Sequence, residues 1–582
     1  MQLIDWVIVI LYFAASAWIG VRYASRAGES VEEFFLSGRS LPWWLAGTSM
    51  VATTFAADTP LAVTELVARN GVAGNWLWWS AAIGGMLTVF FFARLWRRAG
   101  ILTDVELVEL RYSGKPAAFL RGFRALYLGI FMNGVIMAWV NLAMGTVLEG
   151  MFGITREQML LYVGLALAIT AAYSATSGMW GVALTDAFQF ALAMVGTTLL
   201  AVIVLRLPAV GGIDGLTAKL PEWSLRFTPE VGREAGAGET LALSVAAFVA
   251  FVGVQWWSSW YPGAEPGGGG YVAQRMMSAK DERHSLFATL WFTIAHYCLR
   301  PWPWILVGLA TLVLYPELGT ADKKLGYVYA MRDHLPTGLR GALVASFFAA
   351  YMSTIATQLN WGTSYVINDF YGRFVKKDAG QKDLVFASRV TTVLLMAISL
   401  GIMMMLDTIS GAWSFILEAS AGLGLVLILR WFWWRVNAWS EIVAMLAALG
   451  TYAYLRLFTA IQSPYTLFVI VAVSTVAWIT ATFLTPPVDR ETLRAFYRRV
   501  HPGGPGWAAI AREVPDVTPD QGLGGLVVDW LAGVALVYAT LFAIGAVLFG
   551  RYGQAAVCVV IAAAAVAIIY RDLARRPGML AG

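Results

Sequence analysis

Charge is scarce in this chain. Of its 582 residues only 13% are Asp, Glu, Lys or Arg while 59% are hydrophobic, and mean hydropathy is +0.66. A soluble core has no room for that much apolar surface, so a water-soluble domain is excluded and a polytopic membrane protein is implied, with the lipid bilayer as its first partner. Cysteine is almost missing: Cys298 and Cys558 both lie in apolar runs, which rules out a disulfide framework. Four scattered histidines give no zinc spacing. There is no nucleophile–His–acid set and no phosphate loop, so an enzyme is not expected. The net charge of +5 and pI near 9.0 raise the question of nucleic acid. The basic residues lie in loops between apolar runs rather than on one face, so headgroups, not nucleic acid, are their expected contacts. The run Trp6 to Gly20 lacks a basic leader and a small-residue cleavage site and reads as a retained helix.

Apolar runs fall near 5–21, 43–68, 73–96, 121–149, 157–175, 180–207, 240–261, 285–315, 338–369, 384–407, 409–430, 438–458, 464–484, 525–549 and 553–570. That is about fifteen crossings of roughly 20 residues each in an all-α fold. Lys and Arg collect on one side. Arg22, Arg26 and Arg39 follow the first run; Arg94, Arg97, Arg98, Arg111, Lys115, Arg121 and Arg124 the third; Arg275, Lys280 and Arg283 the seventh. Later clusters at 373–382, 430–435, 490–499 and 571–576 fall on the same side. The positive-inside rule makes that face cytoplasmic in the cell inner (plasma) membrane, with the N-terminus outside and the C-terminus inside.

The stretch Pro42 to Asn70 is long enough to cross a bilayer, yet Asp58-Thr59-Pro60 sits at its midpoint. Proline cannot donate to the carbonyl of Ala56, so a break is expected nearby. In hydrocarbon such a break survives only where its freed backbone groups face protein, water or an ion. Five spans run from there to Leu207, and five more from Thr240 to about Arg430 with opposite topology. The first of the second five is also interrupted, by Pro262, Pro266 and four glycines. Paired broken spans in two inverted halves point to a secondary transporter's site. The expected parts are an extra helix and loop at 1–42, a first repeat at 43–207, an external loop at 208–239 and a second repeat at 240–430. Flanking helices at 431–485, a cytoplasmic connector at 486–524 with an amphipathic helix from Arg490 to Val500, and a final helix pair at 525–582 complete the chain.

The segments GRSLPWWLAGTSMVATTFAADTP, SGMWGVALTDAFQFALA, YVAQRMMSAKDERHS and AAYMSTIATQLNWGTSYVINDFYGR occur in this order. They resemble the sodium:solute symporter family, which includes sodium/galactose, sodium/proline and sialic acid symporters; the likeness spans roughly residues 1–485. It implies a LeuT-type fold, a five-plus-five inverted repeat with flanking helices, and uptake of a small organic solute together with sodium by alternating access.

Ala350, Ser353 and Thr354 are spaced i, i+3, i+4, which puts one carbonyl and two hydroxyls on one helix face. An unwound turn before Asp58 would add the carbonyls of Ala52 and Phe55. The family pattern lands on the same five positions as sodium ligands, although Ser and Thr in membrane helices also back-bond to their own helix. The resemblance places Asp186 on the sodium's exit route. It puts Asp58, Thr59, Ser80 and His296 at or near positions that line the sodium/galactose symporter's pocket, whose glutamate falls here on Leu77. Arg300 shares a helix face with His296. A buried arginine needs an acid, and Asp58, Glu418 or a carboxylate on the solute are the choices. Trp257 and Tyr261 are further candidates for the pocket. A proton-coupled transporter titrating Asp58 or Asp186, and a transporter-like sensor, are the alternatives.

Overall fold

The computed structural model describes residues 1–27, 31–233, 236, 238–261, 267–319, 322–518, 522–576 and 579. It is built of helices, with one two-residue parallel pair, Glu230–Val231 beside Ala242–Leu243, among the described residues. After α1 (Leu3–Ala27) come a broken pair, α2 (Trp43–Thr53) and α3 (Asp58–Asn70), and a bent pair, α4 (Val72–Trp79) and α5 (Ala82–Ala99), turned by 42°. α6 (Gly114–Phe152) and α7 (Arg156–Leu205) end the first half. The second half holds α8 (Val245–Ser258), α9 (Gly270–Ser278), α10 (Glu282–Leu314), α11 (Leu339–Val375) and α12 (Gln381–Met405). It closes with a pair bent by 51°, α13 (Ile409–Ala419) and α14 (Leu423–Phe432). Then follow α15 (Ala438–Phe458), α16 (Tyr465–Leu484), α17 (Arg490–Val500), α18 (Leu523–Leu548) and α19 (Tyr552–Ala574).

Nine helices are long and apolar enough to cross a membrane among the described residues, eleven when each bent pair is one span. Four of the expected runs lie outside that count. The run 43–68 is cut into α2 and α3, the run 240–261 gives an apolar helix shorter than a full span, 157–175 shares α7 with 180–207, and 5–21 lies in the 25-residue α1. Asn141 of α6 meets Tyr351 and Asn133 reaches the Gln358 carbonyl, so α6 is antiparallel to α11. Asp186 bonds Ser353 and Gly196 meets Leu343, so the C-terminal part of α7 is antiparallel to α11 as well.

Close approach of helices relies on residues without side chains, as expected where packing rather than water drives association. Gly47 of α2 lies against the Ala288 backbone of α10, Gly341 of α11 against Asp5 of α1, and Gly308 of α10 against Thr64 and Val67 of α3. Asp5 is fully buried and accepts from the Gly338 and Gly341 amides at 2.7 and 3.0 Å, capping the start of α11.

The structure revises the charge count used for orientation. Arg111, Arg124, Arg275 and Arg430 are buried side chains rather than loop charges; Arg124 and Arg430 share Glu441 at 3.1 and 3.4 Å. The amphipathic helix of the connector spans Arg490–Val500, and its apolar face is turned onto the bundle. Phe496 and Trp507 flank the Arg111 guanidinium at 5.4 and 4.8 Å, and Trp507 Nε1 donates to the Trp431 carbonyl at 2.7 Å. Asp489 caps that helix, and its carboxyl is held below the usual range first by the Ser113 hydroxyl and then by the Thr492 amide.

A Cβ at residue 47 would lie 2.5 Å from the Ala288 carbonyl oxygen, a backbone atom that cannot swing aside. Gly47→Val is expected to cost about 1–3 kcal/mol. Gly164→Val, where the nearest atom is at 3.9 Å, should be tolerated. Thermal unfolding of the two purified variants in detergent checks this difference.

Candidate functional site

The first break falls at Thr54–Ala57, between the end of α2 and the start of α3, a few residues ahead of Pro60. Proline therefore occupies the first turn of α3, where no intrahelical donor is needed. The loosened end of α2 finds its donors in the second half of the chain. The Thr354 hydroxyl of α11 donates to the Thr53 carbonyl at 3.1 Å. Arg300 of α10 donates to the Thr54 hydroxyl at 3.1 Å and, more weakly, to the Val51 carbonyl at 3.5 Å. Within the turn itself the Phe55 amide bonds the Ala52 carbonyl at 3.0 Å, and the Phe55 ring stacks on Trp304.

Ala350, Ser353 and Thr354 are all buried, and Thr354 reaches the last residue of α2. The Ser353 hydroxyl donates to one oxygen of Asp186, and the other oxygen accepts from Ser49 of α2 at 2.6 Å. Both hydroxyls thus bond across to other helices instead of to their own turn. Asp186 faces Arg275 of α9 at 3.7 Å, with both side chains buried. Arg275 also donates to Ser49, Thr53 and Thr357 at 3.3, 3.3 and 3.4 Å. Sequence reasoning missed this arginine because it was counted as a loop charge. The Met-Met pair immediately after it was the available sign of burial.

The second interruption lies between Ser258 and Gly270; Pro262 and Pro266 fall outside the described residues. Here the bend of α13 and α14 supplies the partners. The Gly422 amide donates to the Ser258 carbonyl at 2.8 Å, and Ser420 Oγ donates to the Trp260 carbonyl at 2.8 Å and accepts from its amide at 3.0 Å. The third bend, in the α4–α5 pair, leans on α18. Tyr538 donates to the Trp79 carbonyl at 3.0 Å and Trp530 to the Ile83 carbonyl at 2.9 Å.

A cavity of about 240 Å³ opens beside the first break. Thr54, Asp58, Thr59, Tyr261, His296, Arg300, Thr354 and Glu418 all line it, as does Leu77. Ser80 and Trp257 are not on its wall: Ser80 is buried without a hydroxyl partner, and Trp257 packs beside Ala250 and Ile470. Trp139 and Trp413, which were not singled out beforehand, join Trp78 and Tyr261 in giving it aromatic walls. Arg300 forms no ion pair among the described residues. Glu418 pairs instead with Arg456 at 3.4 Å. The His296 ring accepts from Arg300 Nη2 at 3.2 Å, so its Nδ1 carries the hydrogen and donates to Thr54 at 3.1 Å.

Two helices broken at matching points of two halves, with a small cavity and hydroxyl-bearing helix beside the first break, form the architecture of a transporter. The sodium:solute symporter family profile matches residues 34–448, well over half of the chain. The chain belongs to the sodium:solute symporter family. Sodium-coupled solute symport is its activity, and it is a multi-pass membrane protein. The symporter is 26% identical to the sodium/glucose cotransporter of Vibrio parahaemolyticus over 80% of this chain and 87% of that one. It is 24% identical to the sodium/mannose cotransporter of Bos taurus, over 77% and 78% of the two chains. Its fold is that of a substrate-bound, outward-open sodium-coupled sialic acid symporter, at a TM-score of 0.66 and 17% identity over 84% of this chain and 99% of that one.

Removing one member of a buried ion pair leaves the other charge uncompensated. In the symporter, Arg275→Met is expected to cost about 3–5 kcal/mol, and the double variant Arg275→Met with Asp186→Asn to recover most of it. Unfolding midpoints of the purified variants measure both.

Proposed function

We propose that the cavity beside Thr54–Ala57 holds the co-transported solute and that sodium binds next to it, between α2 and α11. The ligands are the carbonyl oxygens of Ala52, Phe55 and Ala350 and the hydroxyls of Ser353 and Thr354. The observation that carries this reading is the 3.1 Å hydrogen bond from Thr354 to the Thr53 carbonyl, which brings the hydroxyl face of α11 to the loosened end of α2. Oxygen donors without formal charge suit a small hard monovalent cation that must be released each cycle. Asp186 accepts the Ser353 hydrogen bond and gives the ion a carboxylate to pass on its way out.

The relatives named for glucose and mannose transport support a solute of monosaccharide size, and the cavity volume, about eight waters' worth, suits one. Sodium bound between the halves holds them outward-open, the solute closes the outer side, and loss of sodium past Asp186 lets the core turn inward. In the cell inner membrane, with the N-terminus outside and the C-terminus in the cytoplasm, the potential adds about 2.3 kcal/mol per charge per 100 mV to the sodium gradient.

Ser353→Ala with Thr354→Ala is expected to abolish sodium-driven uptake in proteoliposomes while the protein still inserts. Sodium dependence retained at the wild-type level removes the proposed ion site.

A further inference from the structure

We propose that the solute is a small zwitterion with an apolar or aromatic body, its carboxylate held by Arg300 and its ammonium by Asp58. This rests on the reading of the cavity as the solute site.

Four ordinary charged residues line that cavity: Asp58, Glu65, Arg300 and Glu418. Two are already neutralised, Glu65 by Arg69 at 2.9 Å and Glu418 by Arg456 at 3.4 Å. Asp58 and Arg300 are both buried, share the wall, and make no ion pair with each other or with any other described residue. A buried charge with no counter-charge needs another source of stabilisation. The broken helix supplies it, with opposite sign at its two ends. Asp58 is the first residue of α3, where the unpaired amides give a positive helix end. Arg300 reaches the Val51 carbonyl and Thr54 hydroxyl at the negative end of α2. The two groups therefore do not pair with each other, which leaves one acid and one base facing one small space.

The donors on Arg300 have room for a ligand. A guanidinium carries five N–H groups. Nε donates to the His296 carbonyl, Nη1 to Thr54 and weakly to Val51, and Nη2 to His296 Nε2, so one Nη2 hydrogen remains. The long 3.5 Å contact to Val51 is the one a carboxylate would displace. Asp58 receives a 3.4 Å contact from Thr59 and contacts from its own amide and the Trp413 indole, and no cation pairs with it. Between these ends the wall is aromatic, with Trp78, Trp139, Trp413 and Tyr261, which suits a hydrocarbon or ring better than a ring of hydroxyls on every face.

The test uses the purified full chain in detergent with L-phenylalanine, two analogues that each lack one of its charges, 3-phenylpropionate and phenethylamine, and the uncharged D-glucose. Binding is followed by thermal shift and by isothermal titration. L-Phenylalanine is expected to bind at least about tenfold more tightly than each of the other three, the worth of one charge-assisted hydrogen bond. Arg300→Met should bring L-phenylalanine down to the level of phenethylamine, and Asp58→Asn down to that of 3-phenylpropionate. Equal binding of the singly charged analogues, or preference for glucose, overturns the proposal without recourse to any variant. Sodium-induced stabilisation of the solute-free protein is measured alongside. If sodium stabilises and L-phenylalanine does not bind, the solute inference falls while the symport site stands. If sodium has no effect, the site reading falls and this inference with it.

Discussion

Inside a bilayer every backbone amide and carbonyl must find a partner within the protein, and the described residues show four interruptions of the apolar helices. Each interruption is mended by a different, distant element. The Thr54–Ala57 turn takes donors from α10 and α11. The gap after Ser258 is tied to the bend at Ser420–Gly422, and that bend is tied back in return. The bend after Trp79 is held by Tyr538 and Trp530 of α18. Each break thus relies on a partner far away in sequence, and the first of them ties the two halves together.

That dependence gives the proposed ion site its leverage. Where a carbonyl at the end of a half-helix is satisfied by a hydroxyl of another helix, a cation entering between them exchanges one set of contacts for another without stranding a buried polar group. Neighbouring charges are arranged on the same principle. Arg300 and Asp58 draw on helix ends, while Asp186 and Arg275 draw on each other and on the hydroxyls of Ser49, Ser353 and Thr357. The helix α18 takes part too, since its indole and phenol groups cap carbonyls of the bent pair that borders the cavity.

Much of this was legible in advance. The proline and acid inside the Pro42–Asn70 run announced the first break, and the glycine–proline cluster after Tyr261 announced the second, because proline lacks the amide hydrogen of a helix interior and glycine is a poor helix former. The helix Arg490–Val500 was equally visible, since its apolar residues recur at helical spacing. Other features were misread for an equally physical reason. Arg111, Arg124, Arg275 and Arg430 look like loop charges in a hydropathy trace; only their carbonyl, acid and aromatic partners, hundreds of residues away in some cases, make burial tolerable.

Glu418, one of the three partners open to Arg300, is taken by Arg456, and local pattern is silent about which of several acids lies across a cavity. Composition and local pattern decided the solvent, the helical class, the position of the first two breaks and the family, since each depends on residues close in sequence. Tertiary structure alone decided which charges are paired, which are left facing the cavity, and what mends each break. Those outcomes depend on distances of a few ångströms between segments that no local pattern relates.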